Sequence, residues 1–149
     1  MSEGAADHGA AKNADYVLDE QVGFILRQAA QRHAVIFSAR MDNELTATQW
    51  AALSKLHEAG PTSQNLLGRL TAMDVATIKG VVDRLLKRGF VAALPDKDDA
   101  RRRLLVVTEA GRAFAETHFA AAHAITAETI APLDAAEQAQ FLRLLKRLR

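Results

Sequence analysis

Ser63-Gln64-Asn65-Leu66-Leu67-Gly68-Arg69-Leu70 reads as a short helix, broken at Thr71-Ala72-Met73. A stronger helix follows, Asp74-Val75-Ala76-Thr77-Ile78-Lys79-Gly80-Val81-Val82-Asp83-Arg84-Leu85-Leu86-Lys87-Arg88, stopped by Gly89. Two apolar runs, 90–94 and 104–107, then flank a charged tip, Pro95-Asp96-Lys97-Asp98-Asp99-Ala100-Arg101-Arg102-Arg103. Helix, three-residue turn, helix, then a hairpin with a basic tip is the order of a winged helix-turn-helix. The fold expected is mainly α with a small β wing.

Working outward, Thr46-Ala47-Thr48-Gln49 has the form of a capping box and opens a helix over 47–59, with Trp50, Leu53 and Leu56 on its core side. Gly60 and Pro61 stop that helix, Gly as a left-handed cap and Pro because it cannot continue the ladder. Upstream, a long helix is expected over 16–41. Leu18, Val22, Ile25, Leu26, Ala29, Ala30, Ile36 and Phe37 share one arc of roughly 140°. His33 and Arg40 intrude into that arc, and Arg32 sits at its edge. Downstream, Thr108 caps an Ala-rich helix over about 109–131, closed by Pro132, and Asp134-Ala135-Ala136-Glu137 opens a last helix carrying Phe141, Leu142, Leu144, Leu145 and Leu148. Residues 1–14 are small and polar without a period and read as a disordered tail, leaving 15–149 as one domain.

Composition excludes several function classes. The chain has 149 residues, is 49% hydrophobic and 25% charged, and contains no cysteine. That removes disulfides, thiol redox sensing and Cys-based zinc sites. No apolar run approaches the ~18 residues of a membrane span, so a soluble cytoplasmic protein is expected. Net charge is only +1 but unevenly spread. Residues 60–108 carry nine Lys or Arg against five acids, whereas residues 1–20 carry one Lys against five. The positive excess collects on the head, as a phosphate-binding surface requires, although a solvated face could carry the same charge.

The ordered set Leu45-Thr46-x-x-Gln49-Trp50-x-x-Leu53, Gly60-Pro61-x-Ser63-Gln64, Met73-Asp74-x-x-Thr77, Leu85-x-Lys87-Arg88-Gly89, Asp99-x-Arg101 and Thr108-x-x-Gly111 resembles the MarR family of bacterial transcriptional regulators. The resemblance covers roughly 16–148. It implies a homodimer whose outer helices, 16–41 and 109–148, form a shared dimerisation body, with winged helix-turn-helix heads over 46–108. It further implies that two heads about one DNA turn apart, ~34 Å, read a palindromic operator in double-stranded DNA. A ligand between head and body then releases the DNA by favouring another spacing. Two positions depart from the pattern. Ala100 separates Asp99 from Arg101 where many members carry Asp-Arg-Arg, and Val107 replaces a Leu.

The residue types suit this task. Ile78, Val81, Val82, Leu85 and Leu86 form the buried arc of the second head helix, and Ala76, Thr77, Lys79, Gly80, Asp83, Arg84 and Lys87 form its free side. Ala76 and Gly80 let the backbone approach bases, and Gly80 costs about 1 kcal/mol of helix stability against Ala. Thr77 can contact a base, and Lys79 and Arg84 a phosphate or guanine. Ser63 and Gln64 at the first helix's start suit a phosphate. By resemblance, Asp99 braces the wing while Arg101 enters the minor groove, and Arg102 or Arg103 reaches phosphate. A charged tip kept for solubility is the plainer reading.

For a ligand, Arg40, His33 and Arg32 supply the motive, because a guanidinium on an apolar face must meet an acid, a carbonyl or an anion. Phe24, Phe37, Met41 and Trp50 offer an aromatic-lined cleft. The expected effector is an anionic aromatic acid or its acyl-CoA thioester. The stretch 19–33 resembles regulators of aromatic-acid catabolism. The alternative is that the arginines pair with acids across a dimer interface or snorkel. No cofactor or metal site is expected: His118 and His123 do not share a helix face, and His8, His33 and His57 lack ligand spacing. No catalytic motif appears. The other candidate class is a helical dimeric protein-interaction module, which would lack the steep salt dependence of operator binding.

Overall fold

The computed structural model of the chain describes residues 15–149; the expected disordered tail and His8 lie outside them. The chain forms α1 (Val22–Arg40), α2 (Ala47–Ala59), β1 (Thr62–Ser63), α3 (Gln64–Leu70), α4 (Val75–Lys87), β2 (Val91–Pro95), β3 (Arg103–Val107), α5 (Glu109–Thr129) and α6 (Ala135–Lys146). It is mainly helical with one small antiparallel sheet, ordered β1-β3-β2.

The helix starts follow their caps. Thr46 and Gln49 form the reciprocal capping box of α2, and Asp134 and Glu137 that of α6. Ser63, Asp74 and Thr108 each accept a backbone N–H three residues on, at the heads of α3, α4 and α5. The long first helix begins later than its periodicity suggests. Leu18–Glu20 close into a 3₁₀ turn, because the Gln21 side chain donates to Val17 O at 2.8 Å, and α1 starts only at Val22. Gly60 adopts φ 78°, ψ −161°, a conformation favouring glycine but distinct from the left-handed helical cap expected there. β1 was not legible as a strand: two residues after Pro61 pair with β3, Thr62 opposite Leu105 and Ser63 opposite Leu104.

The helix-turn-helix corner is closed by backbone. Met73 N–H donates to Gly68 O at 2.9 Å and Ala72 N–H to Arg69 O at 3.3 Å, with Ala72 left-handed at φ 55°. This is a Schellman arrangement with alanine where glycine is usual. Across the corner the helices nearly touch: a Cβ at Gly68 would sit 3.1 Å from Ile78 Cγ2 and 3.3 Å from Met73 O. The wing pairs β2 with β3 from Val91 opposite Val107 to Pro95 opposite Arg103.

One core fills the head. Leu45, Leu53, Leu56, Leu67, Ile78, Val81, Val82, Leu85, Val91 and Leu105 are buried together, and Ala115 of α5 joins them. Leu86, expected on this face, is 37% exposed. A second, smaller cluster joins α1 to α5 through Ile36, Phe37, Met41 and Ile125. Trp50 packs against both clusters and meets Phe119 edge-on at 5.8 Å between ring centres. The apolar arc of α1 is otherwise uncovered: Val22, Ile25 and Leu26 are exposed, as are Phe141, Leu142, Leu144, Leu145 and Leu148. α6 buries no residue at all.

Candidate functional site

The second head helix presents the free side expected of it. Ala76, Thr77, Lys79, Asp83, Arg84 and Lys87 are exposed, opposite buried Ile78, Val81, Val82 and Leu85. Asp74 Oδ1 accepts the Thr77 N–H at 2.7 Å. Hydrogen bonds from Thr77, first its backbone N–H and then its hydroxyl, hold the Asp74 carboxyl below its ordinary value. Lys79 Nζ rests on Asp83 Oδ2 at 2.9 Å, an exposed pair worth little that a phosphate can displace. An added Cβ at Gly80 would meet only Arg84 Nη1, at 3.8 Å. Nothing in the packing around this position requires glycine.

The wing and the first head helix converge. Ser63, Gln64, Asn65, Arg69, Arg101, Arg102 and Arg103 line one polar hollow of about 480 Å³. β1–β3 pairing brings this about, because Ser63 opposite Leu104 sets the start of α3 beside the root of the tip. Ser63 itself is 9% exposed and its hydroxyl caps α3. The side chains that face solvent there are therefore those of its neighbours. Asn65 and Arg69 were missed in the sequence, though their i, i+4 spacing on α3 puts them on one face. Asp99 accepts Arg101 N–H at 3.0 Å, and Arg102 N–H closes a turn on Asp99 O at 2.9 Å. The tip is thereby shaped by Asp99, and Arg101 is left 97% exposed in its side chain.

The polar residues of α1 mostly meet α5. Arg32 Nη2 donates to Glu128 O at 2.9 Å, Arg40 Nε to Glu128 Oε2 at 2.5 Å, and His33 Nδ1 lies 2.9 Å from Thr129 Oγ1. Both arginines thus satisfy the end of α5 within one chain, where helix-terminal carbonyls favour cations. The Thr129 hydroxyl already donates to Ile125 O at 2.7 Å, so Nδ1 carries the proton toward Thr129 and Nε2 is the ring's remaining polar atom. Beside this contact an open groove of about 450 Å³ runs between α1 and the start of α2, lined by Ala30, His33, Ala34, Phe37, Ser38, Asn43, Leu45, Thr46 and Ala47. Of the seven residues expected around a ligand, His33 and Phe37 line it. Phe24, Arg32, Arg40, Met41 and Trp50 do not, Met41 being fully buried.

The MarR family model matches residues 45–102. The HTH-type transcriptional repressor NicR of Pseudomonas putida is 39% identical over 137 residues, 91% of this chain and 87% of NicR. The chain belongs to the MarR family.

MarR membership makes it a winged-helix transcriptional regulator and not an enzyme. Two solved MarR-like structures superpose over nearly the whole chain. A probable transcriptional regulator from Pseudomonas aeruginosa is 55% identical with a TM-score of 0.87, covering 89% of this chain and 100% of that one. BpsR of Bordetella bronchiseptica, whose DNA binding is regulated by 6-hydroxynicotinic acid, is 38% identical with a TM-score of 0.87, covering 91% and 97%. Among the described residues no three His, Asp or Glu side chains converge as a metal site, and no helix is long and apolar enough to cross a membrane.

Proposed function

We propose that the protein is a cytoplasmic homodimeric repressor that binds a palindromic operator and releases it when an aromatic acid enters the groove between α1 and α2. The observation that carries the DNA reading is the convergence of Gln64, Asn65, Arg69 and Arg101–Arg103 around one hollow beside the exposed face of α4. In this reading Ala76, Thr77 and Gly80 approach base edges, Lys79 and Arg84 take phosphate or guanine, and Gln64, Arg102 and Arg103 hold backbone. Arg101, projected from a tip braced by Asp99, enters the minor groove. The exposed apolar faces of α1 and α6 support the second copy, since a contiguous patch of that kind marks an interface.

For the effector, His33, Phe37 and Ser38 of α1 line the groove together with Asn43 and Thr46. An aromatic ring fits against Phe37, and His33 Nε2 accepts from a ring hydroxyl when neutral or donates to a carboxylate when protonated. No Lys or Arg lines the groove, which favours a small free acid over a polyphosphorylated CoA thioester. In this account Arg32 and Arg40 support the site by fixing α5 against α1. BpsR provides the parallel for an acid of this class.

The test is a mobility shift with the protein's own upstream DNA across a salt series. Arg101→Ala is expected to abolish the shifted band at unchanged sedimentation mass, and wild-type affinity is expected to fall log-linearly with salt. Undiminished binding by Arg101→Ala removes the wing assignment; a flat salt response removes operator binding altogether. Calorimetry with 6-hydroxynicotinic acid, related aromatic acids and their CoA esters separates free acid from thioester, and silence across the set removes the effector.

A further inference from the structure

The turn between α1 and α2 holds two consecutive residues in left-handed conformation, Asp42 at φ 51° and Asn43 at φ 56°. Asp and Asn tolerate that region better than most side chains, yet a turn built this way persists only when its surroundings impose it. Met41 is fully buried just before it, Asn43 N–H donates to Ser38 O at 3.3 Å, and Glu44 N–H donates to Met41 O at 2.9 Å. The remaining constraint comes from the recognition helix. Arg88, the C-cap residue of α4, donates through Nη1 to the Glu44 carbonyl and through Nη2 to Glu44 Oε2 at 3.2 Å. The guanidinium lies 4.7 Å from the centre of the Phe90 ring and 5.7 Å from that of Phe114 on α5.

Glu44 is the one residue between Asn43 and Leu45, and both of those line the groove, as does Thr46. Leu45 packs into the core shared with α4, and beside that apolar contact the Arg88 side chain makes the polar link between the wall of the groove and the end of the DNA-reading helix. We propose that the Arg88–Glu44 bridge is the positioning element that couples this groove wall to α4. A molecule that displaces residues 43–46 must either break the fork of Arg88 or draw the end of α4 with it. Lysine cannot replace the arginine, because the contact uses two donors at once and a planar cation stacked on aromatic rings. The link to regulation rests on the groove being the effector site; the bridge itself rests on geometry alone.

Two measurements keep those apart. Without any acid, amide exchange of the full-length protein reads the bridge directly. Faster exchange, by about tenfold, is expected at 43–46 in Arg88→Lys and at 86–90 in Glu44→Ala. The second variant decides the matter even where the first folds poorly, and exchange like wild type at 86–90 in Glu44→Ala overturns the proposal. With 6-hydroxynicotinic acid as probe, the operator Kd in saturating acid is divided by the Kd without it. That ratio is expected to be about tenfold or more in wild type and close to one in Arg88→Lys, with the acid's own Kd on free protein within about threefold of wild type. An undiminished ratio in a folded Arg88→Lys also overturns the proposal. If wild type gives no heat with the acid, the effector reading alone falls, and the exchange result decides the bridge.

Discussion

The head and the body of this protein are built to different degrees of completion. In the head, α2, α3, α4, β2 and β3 each contribute a buried residue to one shared core, and every helix start there is capped. In the body, four buried residues join α1 to α5, α6 buries none, and large side chains such as Val22, Leu144 and Leu148 face outward. The head has what it needs within one chain. The body holds an apolar surface that becomes a core only when something covers it, and burial of such surface is worth about 25 cal/mol per Å². In the proposed reading, recognition is encoded in the completed head and assembly in the uncovered body.

Breaking the body is expected to have the largest effect. Leu145 borders both apolar hollows between α1 and α6. Leu145→Glu is expected to convert dimer to monomer in sedimentation and to cost the operator about 10²–10⁴-fold in affinity through lost bivalency. The head should keep its cooperative melt. A dimer of unchanged affinity would contradict the division.

The seam between the regions comes next. Thr108 Oγ1 donates to Gly89 O at 2.6 Å and accepts Gly111 N–H at 3.1 Å, while Thr108 N–H donates to Phe90 O at 3.0 Å. These bonds press the first turn of α5 onto the chain leaving α4. A Cβ on Gly111 would stand 2.0 Å from Phe90 O, a backbone atom that cannot swing away. Gly111→Ala is expected to destabilise by about 3 kcal/mol or more in urea unfolding. A loss below about 1 kcal/mol would mean that the seam yields, and that the head is not rigidly held to α5.

Much of this was legible in the residues because local rules govern it. Caps at Thr46, Thr108 and Asp134, the buried arc of α4 and the hairpin all obey chemistry within a few positions of the chain. What was not legible depends on distant pairing. β1 is a strand only because β3 lies beside it, and the hollow joining Arg69 to Arg101 exists only because that pairing brings α3 to the wing. From α1 alone Arg32 and Arg40 could clamp a ligand or pair with acids, since periodicity cannot show that the end of α5 supplies their carbonyls and carboxylate. Likewise the arc of α1 announced burial without saying which chain provides the cover.

Within the head, smaller changes should sharpen the contrast, because they alter it without touching assembly. Gly80→Ala is expected to raise stability by about 1 kcal/mol, the ordinary helix preference, since its Cβ meets only the far end of the Arg84 side chain at an ordinary contact distance. The same variant is expected to weaken operator binding by about tenfold, comparable to one lost base-edge contact. A gain in stability with unchanged affinity would show that α4 does not approach DNA at this turn. Ala72→Gly relieves a left-handed alanine but frees the unfolded chain, so a net gain of only about 0.5 kcal/mol is expected in thermal unfolding. A loss would indicate that the Ala72 methyl contributes to the corner.

The smallest effect concerns the Asp74 cap, and its sign follows from the direction of the shift. The carboxyl titrates below its ordinary 3.8 in the folded protein because Thr77 hydrogen-bonds the charged form. A group depressed on folding stabilises the fold above its unfolded value, and that contribution disappears as pH falls through the folded value. The window therefore lies below pH 3.8, where other carboxylates also titrate. Asp74→Asn isolates it, since Asn caps helices about as well as Asp and does not ionise. The difference in melting temperature between wild type and Asp74→Asn should be constant above about pH 5 and should shift against wild type as pH drops below 3.8. A difference that stays constant through that range would show that the cap works equally well protonated. The link between Asp74 and Thr77 at the start of α4 would then be one of shape and not of charge.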